Sequence, residues 1–504
     1  MTERKLDKII GVDLGTTNSV ASSVEGGRPE AAENPEGSVI TPSIVLMGKN
    51  GPIVGETAHS MAALQADRTV REVKRMMGEV VDAYTDPDTG KGYSPVEISS
   101  FIIRHLVEYA QEYFGCEIDA VVITVPAYFK DAQREATKLA GEKAGVVVPR
   151  VINEPTAALM AYCYGKRSGM EDGIYAVIDL GGGTMDCTLA YVTDGEIKIV
   201  STHGSRRLGG TDYTRLIYNL VLSRMKDEAG VELDPGDPSD AAELFSVWEK
   251  CEGAKRLLSK LESSPINVMA KGGQVSFELS RKEFEDMTKD KTQEIRDNCV
   301  QAIEQAGTSP EKLDGVVLVG GATRMPKILQ MIEDLCGEGV PVFKDISTDL
   351  AVANGAAICG YQLSEGSAGV IPVQKVTEAA TFDIGVAARN IGDPDPTRFV
   401  IRRVIRKGTE IPCEATKKFG MDSNGAEDAA ARLIIAEGAD GQDYREEKDK
   451  IQEFSLEGLP ASDNPREPRL EVTIKVDESG IIACRARDLK SGKEIENTVQ
   501  RKAL

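Results

Sequence analysis

From Lys8 the chain runs Lys-Ile-Ile-Gly-Val-Asp, an unbroken apolar stretch closed by a carboxylate and followed by Leu14-Gly15-Thr16-Thr17. The same pattern returns from Tyr175 to Asp179, followed by Leu180-Gly181-Gly182-Gly183-Thr184, 166 positions later. Apolar runs without polar alternation read as strands buried on both faces, and two more lie at 120–125 and 315–319. Elsewhere the apolar positions take a helical period. Ile98, Phe101, Ile102, Leu106 and Tyr109 fall on one face of a helix over 95–114, and further helices are expected at 131–144, 212–228, 241–261, 281–305 and 326–336. Strands alternating with helices predict mostly parallel or mixed sheets covered on both faces. One recurrence at so long an interval predicts two related α/β units, not a solenoid.

The pattern changes after about residue 365. Segment 362–379, with Ser364, Gly366, Ser367, Gly369 and Pro372, reads as a connection. Beyond it come short runs rich in β-branched residues at 381–387, 398–405, 431–436, 469–476 and 480–486. Turn residues separate them, and Glu478-Ser479-Gly480 marks a hairpin. The expected organisation is an α/β region over 1–365, a linker over 366–379 and an all-β domain over 380–504.

Composition fits that picture and narrows it. The chain has 504 residues, 41% of them hydrophobic and 28% charged, which supports real cores under a polar surface. No apolar run is long enough to span a membrane, and the N-terminus leads straight into a strand without a signal-like region, so a cytoplasmic protein is expected. The formal charge of -21 disfavours nucleic acid and anionic membrane as partners. Nine cysteines lie scattered without a CxxC pair and read as reduced, mostly buried side chains. His59, His105 and His203 have no ligand spacing, which argues against zinc or histidine-based chemistry.

The two repeated loops carry the chemistry. A glycine turn directly after a buried strand presents backbone N–H groups to phosphate oxygens. Thr16, Thr17 and Thr184 add hydroxyls. Asp13 and Asp179 would repel phosphate unless a cation stood between, and magnesium, held mainly through its waters, is the physical solution. Neither loop matches GxxxxGK[ST] or GxGxxG, so neither a P-loop nor a dinucleotide fold is expected.

At these strings the chain resembles the 70-kilodalton heat-shock chaperones, whose ATPase domain has the actin and sugar-kinase fold. Ile10 to Ser19, Ile178 to Asp186 and Val317 to Pro326 are similar to the family's three signatures. Val125-Pro126-Ala127-Tyr128-Phe129 and Asn153-Glu154-Pro155-Thr156-Ala157-Ala158 separate this family from actins and sugar kinases. The resemblance implies a duplicated actin-like fold, two lobes flanking a nucleotide cleft, followed by a β-sandwich-like peptide-binding domain. It implies that Asp13 and Asp179 orient magnesium-bound waters, with Asp186 near the cation and the attacking water. Gly15, Thr16, Thr17, Asn18, Gly181, Gly182, Gly183 and Thr184 would contact phosphates, and Gly209 and Gly210 resemble another phosphate-side loop, although read alone they are merely a helix N-cap. Lys74 matches the lysine near the γ-phosphate, where an ammonium orients water and neutralises developing charge. Glu154 matches a glutamate near the cation, and Pro126 and Arg134 resemble the proline switch and its arginine. Glu252, Lys255, Arg256 and Ser259 match the nucleoside-side helix and can share one helical face. Gly320, Gly321 and Arg324 would close on adenine, with Asp349 in the following segment. The cofactors implied are ATP or ADP with Mg²⁺, and K⁺ as a second cation.

Several stretches depart from the family's pattern. The stretch between Gly78 and Pro95 is short. Gly369 to Thr377 carries Pro372 and Lys375 where the family has an acidic residue and a run of leucines or valines, so altered interdomain coupling is expected. Ala431 and Leu433 align with a peptide-pocket strand, yet plain sandwich core explains them equally. With the given sequence ending at Leu504, the expectation is a member without a helical lid or EEVD-like tail, and fast peptide release with it. The resulting reading is an ATPase that works as an ATP-dependent molecular chaperone for extended apolar peptide segments, with a J-domain co-chaperone and a nucleotide-exchange factor as partners. A client-specific scaffold of the same fold, an actin-like filament protein and a small-molecule kinase are the alternatives.

Overall fold

The computed structural model describes residues 8–165, 171–344, 348–364, 375–389, 393–395, 397–421, 429–461 and 467–497. The chain divides into two compact units, residues 1–129 with 136–376 and residues 130–135 with 377–504.

The larger unit is built twice. Its first sheet runs Val147–Asn153, Ala120–Val125, Ile9–Asp13, Asn18–Glu25, Arg28–Ala31. The second runs Val342–Phe343, Gly315–Val319, Gly173–Leu180, Met185–Thr193, Glu196–Ser205. In both, the first three strands are parallel and the last two antiparallel. The central parallel strands are buried along their length, as their unbroken apolar runs require: Ala120–Val125 and Gly315–Val319 have no exposed residue.

The expected helices over 95–114, 131–144 and 326–336 form within the predicted bounds. Pro95–Phe114 opens on a capping box in which Ser94 and Glu97 satisfy each other's backbone N–H. The helix expected over 281–305 is broken. Arg281–Met287 and Lys289–Gln305 meet at Thr288, whose hydroxyl donates to the Phe284 carbonyl at 2.9 Å, the back-bonding that bends helices.

Besides the short helices Glu56–Ala62 and Glu446–Asp449, two long ones lie outside the predicted set. Glu154–Gly165 and Ala351–Leu363 are buried nearly all round, so they have no polar face and show no amphipathic stripe. They pack on each other so closely that a Cβ on Gly355 would stand 1.7 Å from the Ala157 carbonyl oxygen. Gly11 is equally constrained, its Cβ position lying 2.1 Å from the Ala357 amide nitrogen. The helix that ends the second half therefore lies on the first strand of the first half, and small residues make that crossing possible.

The smaller unit holds two antiparallel sheets of four strands each. One is ordered Val400–Ile405, Ile384–Ala388, Ala429–Glu437, Lys450–Leu459, the other Cys413–Gly420, Pro468–Val476, Ile482–Asp488, Glu494–Asn497. Ile384, Leu433 and Phe454 of the first share a core with Val472, Ile474 and Cys484 of the second, which makes a sandwich. The predicted hairpin forms, with Gly480 at φ 76° and the Asp477 carboxylate accepting from the amides of Ser479 and Ile481. Leu433 points into the main core and Ala431 packs with Met421, Leu456 and Leu470. The altered connection at Pro372 lies outside the described residues.

Candidate functional site

Each half ends its first strand on an aspartate, and both carboxylates face one cleft. Asp13 is followed by a turn so tight that a Cβ on Gly15 would lie 1.9 Å from the Asn18 carbonyl oxygen. Asp179 is followed by Gly181, Gly182 and Gly183, with the Gly181 amide donating to Thr184 O at 3.1 Å. These two loops meet face to face. A Cβ on Gly182 would sit 2.1 Å from Thr17 Oγ1, and one on Gly183 would sit 2.9 Å from Thr16 Oγ1. Glycine is demanded there by the approach of the opposite loop, a reason beyond turn geometry.

The cavity between the halves is lined by Asp13, Gly15, Thr16, Thr17 and Asn18 from one side. Asp179, Gly181, Gly182 and Thr184 line it from the other, and Gly320, Gly321 and Asp349 complete the wall. Lys74 and Glu154 reach the same space. Lys74 lies on the 3-10 turn Val73–Met76, which follows Glu72 in the left-handed region at φ 55°. A non-glycine residue held there is strained by about 1 kcal/mol, and such strain concentrates at functional sites. The turn buries Lys74, whose ammonium donates to the Glu154 carboxylate, also buried. Glu154 is the first residue of its helix, where the helix dipole favours a negative charge.

Four carboxylates, Asp13, Glu154, Asp179 and Asp349, and the one ammonium of Lys74 line this space and leave the charges uneven. Burial, and then Glu154, push the Asp13 carboxyl up to about 7. The Thr124 hydroxyl donates to Asp13 at 3.1 Å and offsets part of this. Burial, then Glu154 and Asp186, raise Asp179 well above the carboxylate range. Acids raised first by burial and then by one another are groups whose charge a divalent cation, reached through its waters, would offset. The donor set fits Mg²⁺, which takes oxygen ligands and keeps most of its waters. The glycine cradle, which any Cβ would fill, fits phosphate.

Asp186 faces Asp179 directly across the antiparallel pair and is buried. Gly210 donates to Gly181 O at 2.9 Å, and the Thr211 amide and hydroxyl both reach Gly182 O at 2.8 Å, so Gly209 and Gly210 brace the glycine loop from behind. Lys255, buried, donates to Gly210 O at 2.9 Å and lies 2.7 Å from Glu252. Arg256 also bonds Glu252, at 2.9 Å, while Ser259 Oγ turns back to the Lys255 carbonyl. The Arg324 guanidinium grips Asp349 with two bonds, at 3.1 and 2.7 Å. Glu252, Lys255, Arg256, Ser259 and Arg324 are thus not among the residues that line the phosphate cavity.

Several residues were missed by sequence reasoning. Arg75, beside Lys74, donates to the Gly183 carbonyl at 3.2 Å and to Asp212 at 2.8 Å. Asp212 in turn accepts from the Gly209 amide at 2.9 Å. A cationic pair, Lys74-Arg75, next to an apolar turn was the available signal. Thr124 could have been placed from register alone, since Val12 pairs with Ile123 and the next position falls beside Asp13.

The family model described as Hsp70 protein matches residues 9–503. Among curated proteins, the chain is similar to the Chaperone protein DnaK of Anaplasma marginale (strain St. Maries). The two are 35% identical over 510 residues, covering 97% of this chain and 76% of the relative.

Proposed function

The chain belongs to the Hsp70 protein family, and from that premise we propose that its loops at Asp13 and Asp179 clamp the phosphates of ATP so that hydrolysis governs the grip of the β-sandwich on extended peptide. It is an ATP-dependent molecular chaperone and an ATPase. The observation that carries the site reading is the face-to-face approach of Thr16-Thr17 and Gly182-Gly183, with buried Asp179 and half-buried Asp13 at its edge.

In this reading Thr16, Thr17, Gly181, Gly182, Gly183 and Thr184 hold the phosphate chain, Arg75 fixes the glycine loop, and the ring of Gly320, Gly321, Arg324 and Asp349 with Glu252, Lys255, Arg256 and Ser259 takes the nucleoside. Lys74 orients the attacking water and offsets the charge that builds on the transferred phosphoryl group. Glu154 holds Lys74 in place, and Asp186 accepts a hydrogen bond from that water. Asp13 and Asp179 would hold Mg²⁺ through its waters, and the ion would supply charge neutralisation between the phosphates. K⁺ would be a second cation of the nucleotide site. Extended apolar segments are the clients, with a J-domain co-chaperone and a nucleotide-exchange factor as partners and the cytoplasm as the compartment.

Single-turnover ATP hydrolysis with and without an unfolded peptide, run beside anisotropy of the labelled peptide, tests the coupling. Peptide should change the rate and ATP should change peptide affinity. Independence of both would overturn it.

A further inference from the structure

The crossing helices are not the only tie between the two halves of the larger unit. The helix Glu56–Ala62 and Arg71 belong to the first half, and the helix Ala241–Leu258 to the second. They meet at one cluster. His59 Nε2 lies 3.1 Å from a Glu249 carboxylate oxygen, and its Nδ1 lies 3.6 Å from Glu56. The Arg71 guanidinium stacks over Phe245 at 4.4 Å and over Trp248 at 5.9 Å, and lies 3.6 Å from Glu249. Trp248 also lies 5.4 Å from the Arg215 guanidinium and 5.5 Å from the Tyr218 ring.

Both ends of this bridge connect to the phosphate loops. Arg71 precedes Lys74 by three positions, on the segment that carries Lys74 to Glu154. Glu249 lies on the helix whose Lys255 is bonded to Gly210, and Gly210 is bonded to Gly181. Because the cavity is walled by both halves, a nucleotide leaves by their separation, and separation must break this bridge.

We propose that the bridge is a proton-gated clasp on the nucleotide cleft: protonated His59 holds Glu249 and keeps nucleotide in, and loss of that proton shortens its residence.

The charges facing His59 are Glu56 on its own helix and Glu249 on the opposite one, with Arg71 behind Glu249. The hydrogen bond to Glu249 raises the imidazole above its ordinary 6.5 against the opposing effect of burial. A raised histidine pKa means that the clasp is fully formed below about 6.5 and is lost as pH climbs through the higher, closed-state value. His59 and Glu249 are each about one-third exposed, with side chains at 32% and 36%. The effect is therefore that of a partly screened ion pair, about two- to fivefold in dissociation rate. The aromatic stack of Arg71 persists throughout, so the clasp loosens without vanishing.

This inference rests on the nucleotide reading above, and the test separates the two. The full chain is loaded with Mg²⁺ and a fluorescent methylanthraniloyl-ADP, which is then chased with excess ADP between about pH 6 and pH 8.5. Emission of Trp248, the single tryptophan of the chain, is followed in the same samples. Dissociation should accelerate about two- to fivefold as pH rises, with a midpoint above 6.5 that Trp248 emission shares. His59→Lys should be slow and lose that component, and Glu249→Gln should be fast and lose it too. An acceleration that persists undiminished in both variants would assign it to other groups, Asp13 among them, and overturn the clasp. If His59→Lys does not fold, Glu249→Gln tests the same contact from the opposite side. Failure to retain the fluorescent ADP at every pH would overturn the nucleotide reading instead. The clasp would then stand or fall on whether Trp248 emission follows the His59 titration.

Discussion

Replacing Lys74 with alanine removes the only positive charge bonded to Glu154 among the described contacts of that carboxylate. Breaking a buried ion pair costs about 3–5 kcal/mol when the remaining charge has no escape. Here it has one. Asp13 already sits at about 7 in the presence of Lys74, and the lysine is what pulls it down. Without the lysine Asp13 takes a proton nearly free of cost at neutral pH, and the remaining carboxylates lose one neighbour of like charge. The stability loss is therefore placed at about 1–3 kcal/mol, the range for an imperfectly compensated buried group. The effect on hydrolysis should be larger. An ammonium placed where charge develops on the phosphoryl group contributes about 10²- to 10³-fold to the rate. Single-turnover hydrolysis at saturating Mg²⁺ should fall by that factor while the ATP dissociation constant moves less than about tenfold. Denaturant unfolding of the same sample supplies the stability term. A variant that stays folded and hydrolyses ATP within about threefold of the parent would refute the role given to Lys74, because a loss below roughly 0.7 kcal/mol is too small for a group at the reacting phosphate.

Protons and Mg²⁺ should compete at Asp13. A carboxyl raised from 3.8 to about 7 favours the folded state at low pH and loses that contribution as pH rises through about 7, so the thermal shift given by Mg²⁺ with ADP should be clearly larger at pH 8 than at pH 6. Gly182→Val places its branches on Thr17, where even a Cβ stands at 2.1 Å. Forcing the loops apart should weaken ATP binding by more than about tenfold, at a stability cost of about 1–3 kcal/mol, both readable by calorimetry. Asp349→Asn removes the charge of the half-buried partner of exposed Arg324. It should leave the unfolding midpoint unchanged while raising the ATP dissociation constant about three- to tenfold. In the sandwich, burial would raise the Asp488 carboxyl, but the Arg469 guanidinium and Ser491 hold it well below the usual range. That contribution is present above about 4 and lost as pH falls, and Asp488→Asn should destabilise the sandwich by about 3 kcal/mol at neutral pH in denaturant unfolding.

What the sequence made legible follows its physics. Strands 120–125 and 315–319 could be read to the residue because burial on both faces forces an unbroken apolar run. The Asp-Leu-Gly loops could be paired because the same backbone problem, a tight turn beneath phosphate, has the same glycine answer twice. The helices at 154–165 and 351–363 were silent because they lie against protein on every side, and a stripe exists only where there is a solvent face. The strand Lys450–Leu459 is not among the predicted runs, although it alternates in burial; Lys450, Glu453 and Glu457 stand on its exposed face. Arg71, His59 and Glu249 carry no local signal at all. Their meaning depends on two segments nearly two hundred positions apart arriving at the same place.

The duplication explains more than the pairing of the two aspartates, because the halves differ where the substrate does. Asp13 faces Val20 across its antiparallel pair, whereas Asp179 faces Asp186 at the equivalent register. On the parallel side Asp13 has the Thr124 hydroxyl, and Asp179 has Val319. The helix after the outer parallel strand begins with Glu154 in the first half and with Ala351 in the second. The first half therefore adds Glu154 to its aspartate and the second adds Asp186 and Asp349, at different positions, and only the first half supplies Lys74. A strictly symmetric clamp would hold a triphosphate in either direction. On the proposed nucleotide reading, polarity would come from these differences, with Lys74 and Glu154 toward one end of the cleft and the braced glycine loop toward the other. The clasp at His59 fits the same logic. Two halves of a duplicated fold share no obligatory contact at their outer ends, so whatever joins them there is free to vary, and a histidine in that place makes the joint responsive to protons.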